Sequence, residues 1–239
     1  TGLLCIGIGQ GTKTFPYISS FTKTYIAEGK VGLCSDTYDI TGEISEGKEK
    51  KITLEEIQSV LTNFQGKIEQ KPPIFSALKI KGKPAYHYAR NGIAINLETR
   101  IIHIHSIKLL KFEYPNFIIE IVCSGGTYVR SLIHDMGLLL GTGAVMTNLH
   151  RTRIGFFDIN DAISIEHNTD QNLLWSKIIS IDKSLNSIPL IKLAKEEDFP
   201  LENGLKPVTT DFILDNSFNS NIYKVMKKKD NETILAIVK

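Results

Sequence analysis

The sequence predicts an α+β fold followed by a small all-β unit at the C-terminal end. Three observations carry this reading. Runs of strand character alternate with runs of helical character, several strands are joined by hairpin-short connections, and the texture changes around Ile181. Hairpin connections argue against a doubly wound parallel sheet, whose strands need long crossovers.

In chain order, Leu3 to Gly9 is an apolar run that reads as a buried strand. Lys23 to Leu33 reads as a second strand, ending at the turn-prone Ser35-Asp36-Thr37. Thr53-Leu54-Glu55-Glu56 has the form of a capping box, with Thr53 as N-cap and Glu56 three residues on. It opens a helix whose Ile57, Val60, Leu61 and Phe64 keep helical spacing, with Gly66 as the stop. Pro72-Pro73 forces extended backbone, and Ala85 to Asn91 is a short helix. Ile101 to Phe112 and Phe117 to Val122 form a strand pair turning at Pro115-Asn116. Gly125-Gly126 leads into a helix reaching Leu140, Val145 to Phe157 form two more strands, and Asp161 is placed to cap a further helix. Beyond Ile181, the apolar runs Ile188 to Leu193, Ile222 to Met226 and Ile234 to Val238 are separated by polar turns, as in a small β domain.

The 239 residues are 42% hydrophobic and 23% charged, enough apolar material for a buried core and too much for a disordered chain. No apolar run approaches the roughly 18 residues of a membrane span, and no secretory signal is evident. Cys5, Cys34 and Cys123 are odd in number and far apart, which fits a reducing, cytoplasmic setting rather than a disulfide framework. The net charge of +2 is uninformative, but its distribution is not. Residues 67–111 hold nine basic and two acidic side chains, a local +7, together with Phe75, Tyr86 and Tyr88. Cations for phosphates and rings for bases are what an RNA-contacting loop requires; a solvated lysine-rich loop is the alternative.

Other motifs carry less. Gly7-Ile8-Gly9-Gln10-Gly11-Thr12-Lys13 lacks the spacing of both a Walker A loop and a dinucleotide fingerprint, so its glycines are read as a turn. His103 and His105 share a strand face but have no third ligand in sequence, so no metal or other cofactor is expected. His87, His134, His150 and His167 are scattered and show no triad logic. Cys123 to Arg130 is the most unusual stretch, since Arg130 falls in the first turn of a helix where the macrodipole is already positive. Such an arginine needs a carboxylate partner, and none lies nearby in sequence.

Five segments occur in order: Lys23-Thr24-Tyr25, Ser35 to Gly42, Pro73 to Lys79, Gly125 to Arg130, and Leu149-His150-Arg151. Together they resemble the bacterial tRNA pseudouridine synthase B family, which isomerises the T-loop uridine at tRNA position 55. The resemblance spans Thr1 to about Phe157. It implies a mixed, mostly antiparallel sheet with flanking helices, the pseudouridine synthase fold, over residues 1–181, and a PUA-like RNA-binding domain over residues 182–239. It implies Tyr25 as the ring stacked on the flipped base, Tyr128 and Arg130 as catalytic residues, and Leu149 as a wall of the uracil pocket. Lys13, Lys79, Lys81, Lys83 and Arg151 are implied as further substrate-binding residues, and the segment from Gln70 to Gly92 as the loop that closes on RNA. The partner is then the T-arm of tRNA, bound by a monomer.

The family's nucleophile is the aspartate of a Gly-x-Leu-Asp-Pro-x-Ala-Thr-Gly motif whose last two residues match Thr1-Gly2. That aspartate would lie four residues before Thr1, so residues 1–239 are expected to be inactive alone, and Arg130 would pair with the upstream carboxylate. Asp36 and Asp39 match a structural turn, and Asp135 lies about 140° around the helix from Arg130. Two other readings stand beside this one: a tRNA-binding or tRNA-folding protein that naturally lacks the nucleophile, and a relative of the guide-directed enzymes acting on another RNA.

Overall fold

A computed structural model describes residues 1–164, 170–193, 212–213, 222–226 and 234–238. The chain divides into two compact units, one of residues 1–5 and 19–162, the other of residues 6–18 and 163–239.

The first unit is built on a six-stranded sheet. Its strands are β1 (Lys23–Val31), β4 (Gly66–Gln70), β7 (Arg100–Glu113), β8 (Asn116–Cys123), β9 (Ala144–Ile154) and β10 (Phe157–Asp158), in the order β10-β9-β1-β8-β7-β4. Every neighbouring pair in it is antiparallel. Two small hairpins, β2 (Leu33–Ser35) with β3 (Ile44–Glu46) and β5 (Lys79–Ile80) with β6 (Lys83–Pro84), stand outside the sheet. Helices α2 (Leu54–Thr62), α3 (Ala85–Arg90) and α4 (Val129–Leu140) complete the unit. The capping box is present: the Glu56 N–H donates to Thr53 Oγ1 at 3.2 Å and the Thr53 N–H to Glu56 Oε2 at 2.9 Å. Helix α2 ends at Thr62, before Gly66, which instead begins β4.

Alternation along β1 puts Lys23, Tyr25, Ala27, Gly29 and Val31 on one face. Ala27 and Val31 join Ile119 and Ile121 of β8, Leu132, Ile133 and Met136 of α4, and Ile57 and Leu61 of α2 in one core. Tyr25, Met146 and Leu149 are partly buried against that same core. The face that holds the fold together therefore also carries the predicted base-stacking ring.

The second unit contains a 3-10 turn over Gly9–Thr14 and helices α1 (Phe15–Ile18), α5 (Gln171–Ser176) and α6 (Ile181–Ser184). It also holds a sheet of β11 (Leu190–Leu193), β12 (Phe212–Ile213), β13 (Tyr223–Met226) and β14 (Ile234–Val238), in the order β12-β11-β13-β14. Here β11 and β13 pair in parallel, whereas in the first unit parallel pairing is confined to the isolated bridges Gly2–Arg151 and Asp39–Met146. Lys224 is buried and ion-paired with Asp182.

Two expectations are corrected. Leu3 to Gly9 is not a core strand: Leu3 is buried, with its N–H donating to the Arg151 carbonyl at 2.7 Å, but Leu4, Ile6 and Ile8 are 66%, 69% and 73% exposed. An uninterrupted apolar run carries no alternation to tell which residues face inward. Asp161 caps no helix; it ends a short 3-10 turn capped by Asp158, and the next helix is capped by Asp170.

Candidate active site

The site is organised by the start of α4. Gly125 approaches Ser19 so closely that a Cβ would lie 2.3 Å from the Ser19 carbonyl oxygen, and Gly126 has φ +85°, so this turn requires both glycines. The turn delivers Tyr128 as the N-cap of α4, with Arg130 two residues on, in the first turn.

Arg130 has a partner that sequence separation hid. Its Nη1 donates to Asp39 Oδ2 at 2.9 Å, with the two side chains 20% and 14% exposed, and its Nη2 donates to the Phe75 carbonyl. Asp39 is thus not merely part of a turn, as its motif suggested. Burial pushes its carboxyl up, but hydrogen bonds from the Thr41 hydroxyl, the Thr37 hydroxyl, Arg130 and the Thr41 N–H outweigh that and hold it below the ordinary carboxylate range. Its segment lies on β9, with the Ile40 N–H on the Met146 carbonyl at 2.9 Å and the Met146 N–H on the Tyr38 carbonyl at 3.1 Å. One turn along α4 from Arg130, His134 stacks on Tyr38 with ring centroids 3.9 Å apart. Successive residues 38 and 39 therefore meet positions 134 and 130 on one helix face. Asp135 makes no ion pair with Arg130; burial pushes its carboxyl up to about 6.

Tyr25 pairs with Arg151 across the β1–β9 ladder and hydrogen-bonds its side chain. Burial pushes the Tyr25 phenol up, more than the Arg151 hydrogen bond lowers it. The first residues of the chain lie on the same part of β9. The Thr1 amine donates to the Leu149 carbonyl at 2.9 Å, Thr1 Oγ1 is 3.1 Å from His150 Nδ1, and Arg151 Nε donates to the Leu3 carbonyl at 2.9 Å. Beneath them, Lys23 is buried, its ammonium donating to the carbonyls of Ser19 at 2.5 Å and Phe21 at 2.8 Å.

Lys79, Lys81 and Lys83 are all exposed on the β5–β6 hairpin. Lys81 and Gly82 form its tip, both with positive φ (47° and 83°), as a two-residue hairpin turn requires. Tyr88 Oη donates to the Ile80 carbonyl at 3.1 Å, tying the hairpin to α3. Lys13 belongs to the second unit. His103 and His105 do share a strand face, with ring centroids 4.3 Å apart; among the described residues no cluster of three or more metal-ligating side chains occurs. His167 lies outside the described residues. Among the described residues, no helix is long and apolar enough to cross a membrane.

Two residues of the site went unread in sequence. Gln70, 1% exposed at the end of β4, and Arg100, its cross-strand partner in β7, both contact Tyr128. Gln70 was read only as the start of the loop that closes on RNA, and Arg100 only as one of the nine cations of the basic segment.

The fold class is that of the pseudouridine synthases. A chain in the "Crystal Structure of a Cbf5-Nop10-Gar1 Complex" superposes with a TM-score of 0.72 at 20% identity, over 99% of this chain and 65% of that one. A chain in the "Structure of H/ACA RNP bound to a substrate RNA containing 2'-deoxyuridine" superposes at 0.65. The present chain thus spans just under two thirds of those chains' lengths. Residues 1–129 match the TruB family pseudouridylate synthase N-terminal domain, and residues 130–210 match the tRNA pseudouridylate synthase B C-terminal domain. The tRNA pseudouridine synthase B of Clostridium tetani is 40% identical over 86% of this chain and 71% of its own length. That of Clostridium perfringens is 38% identical over 100% and 81%. The chain belongs to the TruB family of pseudouridylate synthases.

Proposed function

We propose that this protein converts uridine to pseudouridine in tRNA, at position 55 of the T-loop. The C1′–N1 bond of the target nucleotide breaks, the uracil rotates, and C5 joins C1′; the C5 proton is lost and N1 gains one, so the reaction consumes no co-reactant. The residues divide the work by chemistry. The Tyr25 ring is the platform for the flipped base, Leu149 an apolar wall, and Tyr128 a side chain against the uracil. Arg130 holds and keeps ionised the nucleophilic carboxylate, which by the family resemblance lies four residues before Thr1. Lys79, Lys81, Lys83, Lys13 and Arg151 meet RNA, and residues 182–239 form a PUA-like module that follows a catalytic domain of residues 1–181. The protein acts as a cytoplasmic monomer.

The observation that carries this reading is the seat of Thr1 on the Leu149 carbonyl, two residues from the strand partner of Tyr25. Four extended residues reach at most about 14 Å, so a carboxylate at that upstream position is within range of both Tyr25 and Leu149. The test is mass spectrometry of T-arm RNA after incubation with residues 1–239 alone and with a polypeptide extended upstream through the Leu-Asp-Pro stretch. The extended protein is expected to form pseudouridine and residues 1–239 alone none. Equal rates would move the nucleophile elsewhere, and no product from either would favour an RNA-binding role without catalysis.

A further inference from the structure

We propose that Gln70 and Arg100, the sheet residues that flank the basic loop, are positioning residues for Tyr128. The inference rests on the isomerase reading above and adds to it a mechanical link between the RNA-contacting loop and the base pocket.

Gln70 holds the backbone of Tyr128 from both sides. Its Nε2 donates to the Tyr128 carbonyl at 3.0 Å, and the Tyr128 N–H donates to its Oε1 at 2.8 Å. The same carbonyl accepts the Leu132 N–H at 3.2 Å within α4, so Gln70 takes up its second lone pair. Tyr128 is an N-cap with extended backbone (φ −97°, ψ 103°) and no side-chain cap of its own, and Gln70 Oε1 satisfies its N–H, one of the donors a helix start leaves unpaired.

Arg100 holds the ring. Its guanidinium carbon lies 4.6 Å from the centroid of the Tyr128 ring. Arg100 Nε and Nη2 are buried and have no hydrogen-bond acceptor. An arginine kept for stability would pair those donors, because buried unpaired N–H groups are costly. Here the cation faces an aromatic surface instead, an arrangement that fixes the ring plane. Backbone and ring of one residue are thus held by two side chains that sit opposite each other in the β4–β7 ladder.

Topology makes this clamp more than local. The chain leaves the sheet at Gln70, passes through the lysine hairpin and α3, and rejoins the sheet at Arg100. Between those ends the loop also meets α4 where the Phe75 carbonyl accepts from Arg130. RNA drawn onto Lys79, Lys81 and Lys83 therefore acts on a segment whose anchors are the holders of Tyr128.

The experiment uses the upstream-extended protein and a T-arm stem-loop labelled with tritium at uridine C5, which is released on isomerisation. Single-turnover rate, RNA dissociation constant and melting temperature are measured for Gln70→Ala, Arg100→Ala, Arg100→Lys and Tyr128→Leu, and for Arg100→Ala combined with Tyr128→Leu. Gln70→Ala and Arg100→Ala are expected to slow isomerisation by about tenfold or more while RNA affinity changes by less than about twofold. Arg100→Lys is expected to recover part of the rate, since it keeps a cation over the ring. With Tyr128 already replaced by leucine, Arg100→Ala is expected to change the rate by less than about twofold, because its effect passes through the ring. Should Gln70→Ala lower the melting temperature, the Arg100 arm decides. Affinity losses that match the rate losses, or an equal cost of Arg100→Ala with and without the Tyr128 ring, would overturn the inference. No product from the unsubstituted protein would overturn the isomerase reading and this inference with it. Product formation indifferent to the Gln70 and Arg100 substitutions but impaired by Tyr128→Leu would overturn this inference alone.

Discussion

Arg130 and Asp39 are 91 residues apart in sequence, yet the arginine Nη1 donates to the aspartate Oδ2 at 2.9 Å in the largely buried start of α4. This pair resolves an electrostatic oddity, because a cation in the first turn of a helix opposes the macrodipole unless a carboxylate answers it. The guanidinium is also held by the Phe75 carbonyl, so its fork is aimed before substrate arrives.

Arg130→Lys in the upstream-extended protein is expected to lower the single-turnover rate by at least about 100-fold with little change in RNA affinity. Lysine retains the charge but cannot engage Asp39, the Phe75 carbonyl and a reacting carboxylate in one plane. Rate and dissociation constant measured on T-arm RNA check this; a wild-type rate would remove Arg130 from the chemistry.

Asp39→Asn is expected to destabilise the fold by about 1–3 kcal/mol at neutral pH, since it strips a partly buried arginine of its counter-charge. The wild-type carboxyl is held below its ordinary value, so its stabilisation is complete above pH 4 and is lost as pH falls through the depressed value. Urea unfolding at pH 7 and pH 3 reads the difference, which is expected to shrink at the lower pH.

Asp135 titrates with the opposite sign. Burial raises it to about 6, so between about pH 4 and 6 the folded state binds the proton more tightly than the unfolded state, and this group's contribution to stability falls as pH rises. Asp135→Asn is expected to flatten that slope and to stabilise the protein at pH 7 by about 1–2 kcal/mol after allowance for solvent screening. An unchanged pH profile of unfolding would show that the carboxyl is solvated.

Replacing Lys79, Lys81 and Lys83 together with alanine is expected to weaken T-arm binding and reduce the slope of log K against log salt by about two. All three are exposed on one hairpin, so the fold should tolerate the change. An unaltered slope in a salt titration would take the hairpin off the RNA.

Tyr25→Leu in the extended protein is expected to cost about 100-fold in turnover and less than about threefold in RNA affinity. One ring serves one flipped base, while most of the RNA surface lies elsewhere. Equal losses would make Tyr25 a packing residue.

Periodicity and end signals were sufficient for the local elements: the Thr53–Glu56 capping box, the β7–β8 strand pair, the helix after Gly125-Gly126 and the strand runs beyond Ile181 all follow from side-chain spacing and backbone freedom. The order of five short motifs was sufficient for the family. Pairing across the fold was not legible in this way. Asp39 meets Arg130 because β9 carries residues 38–40 alongside α4, and Gln70 meets Tyr128 because β4 ends beside the helix start. Arg100 lies over the Tyr128 ring only because β7 pairs with β4 in a register that sets it opposite Gln70. Chain separation carries no record of such contacts. Local spacing determines which residues share a face of one element, whereas sheet order and register decide which faces meet.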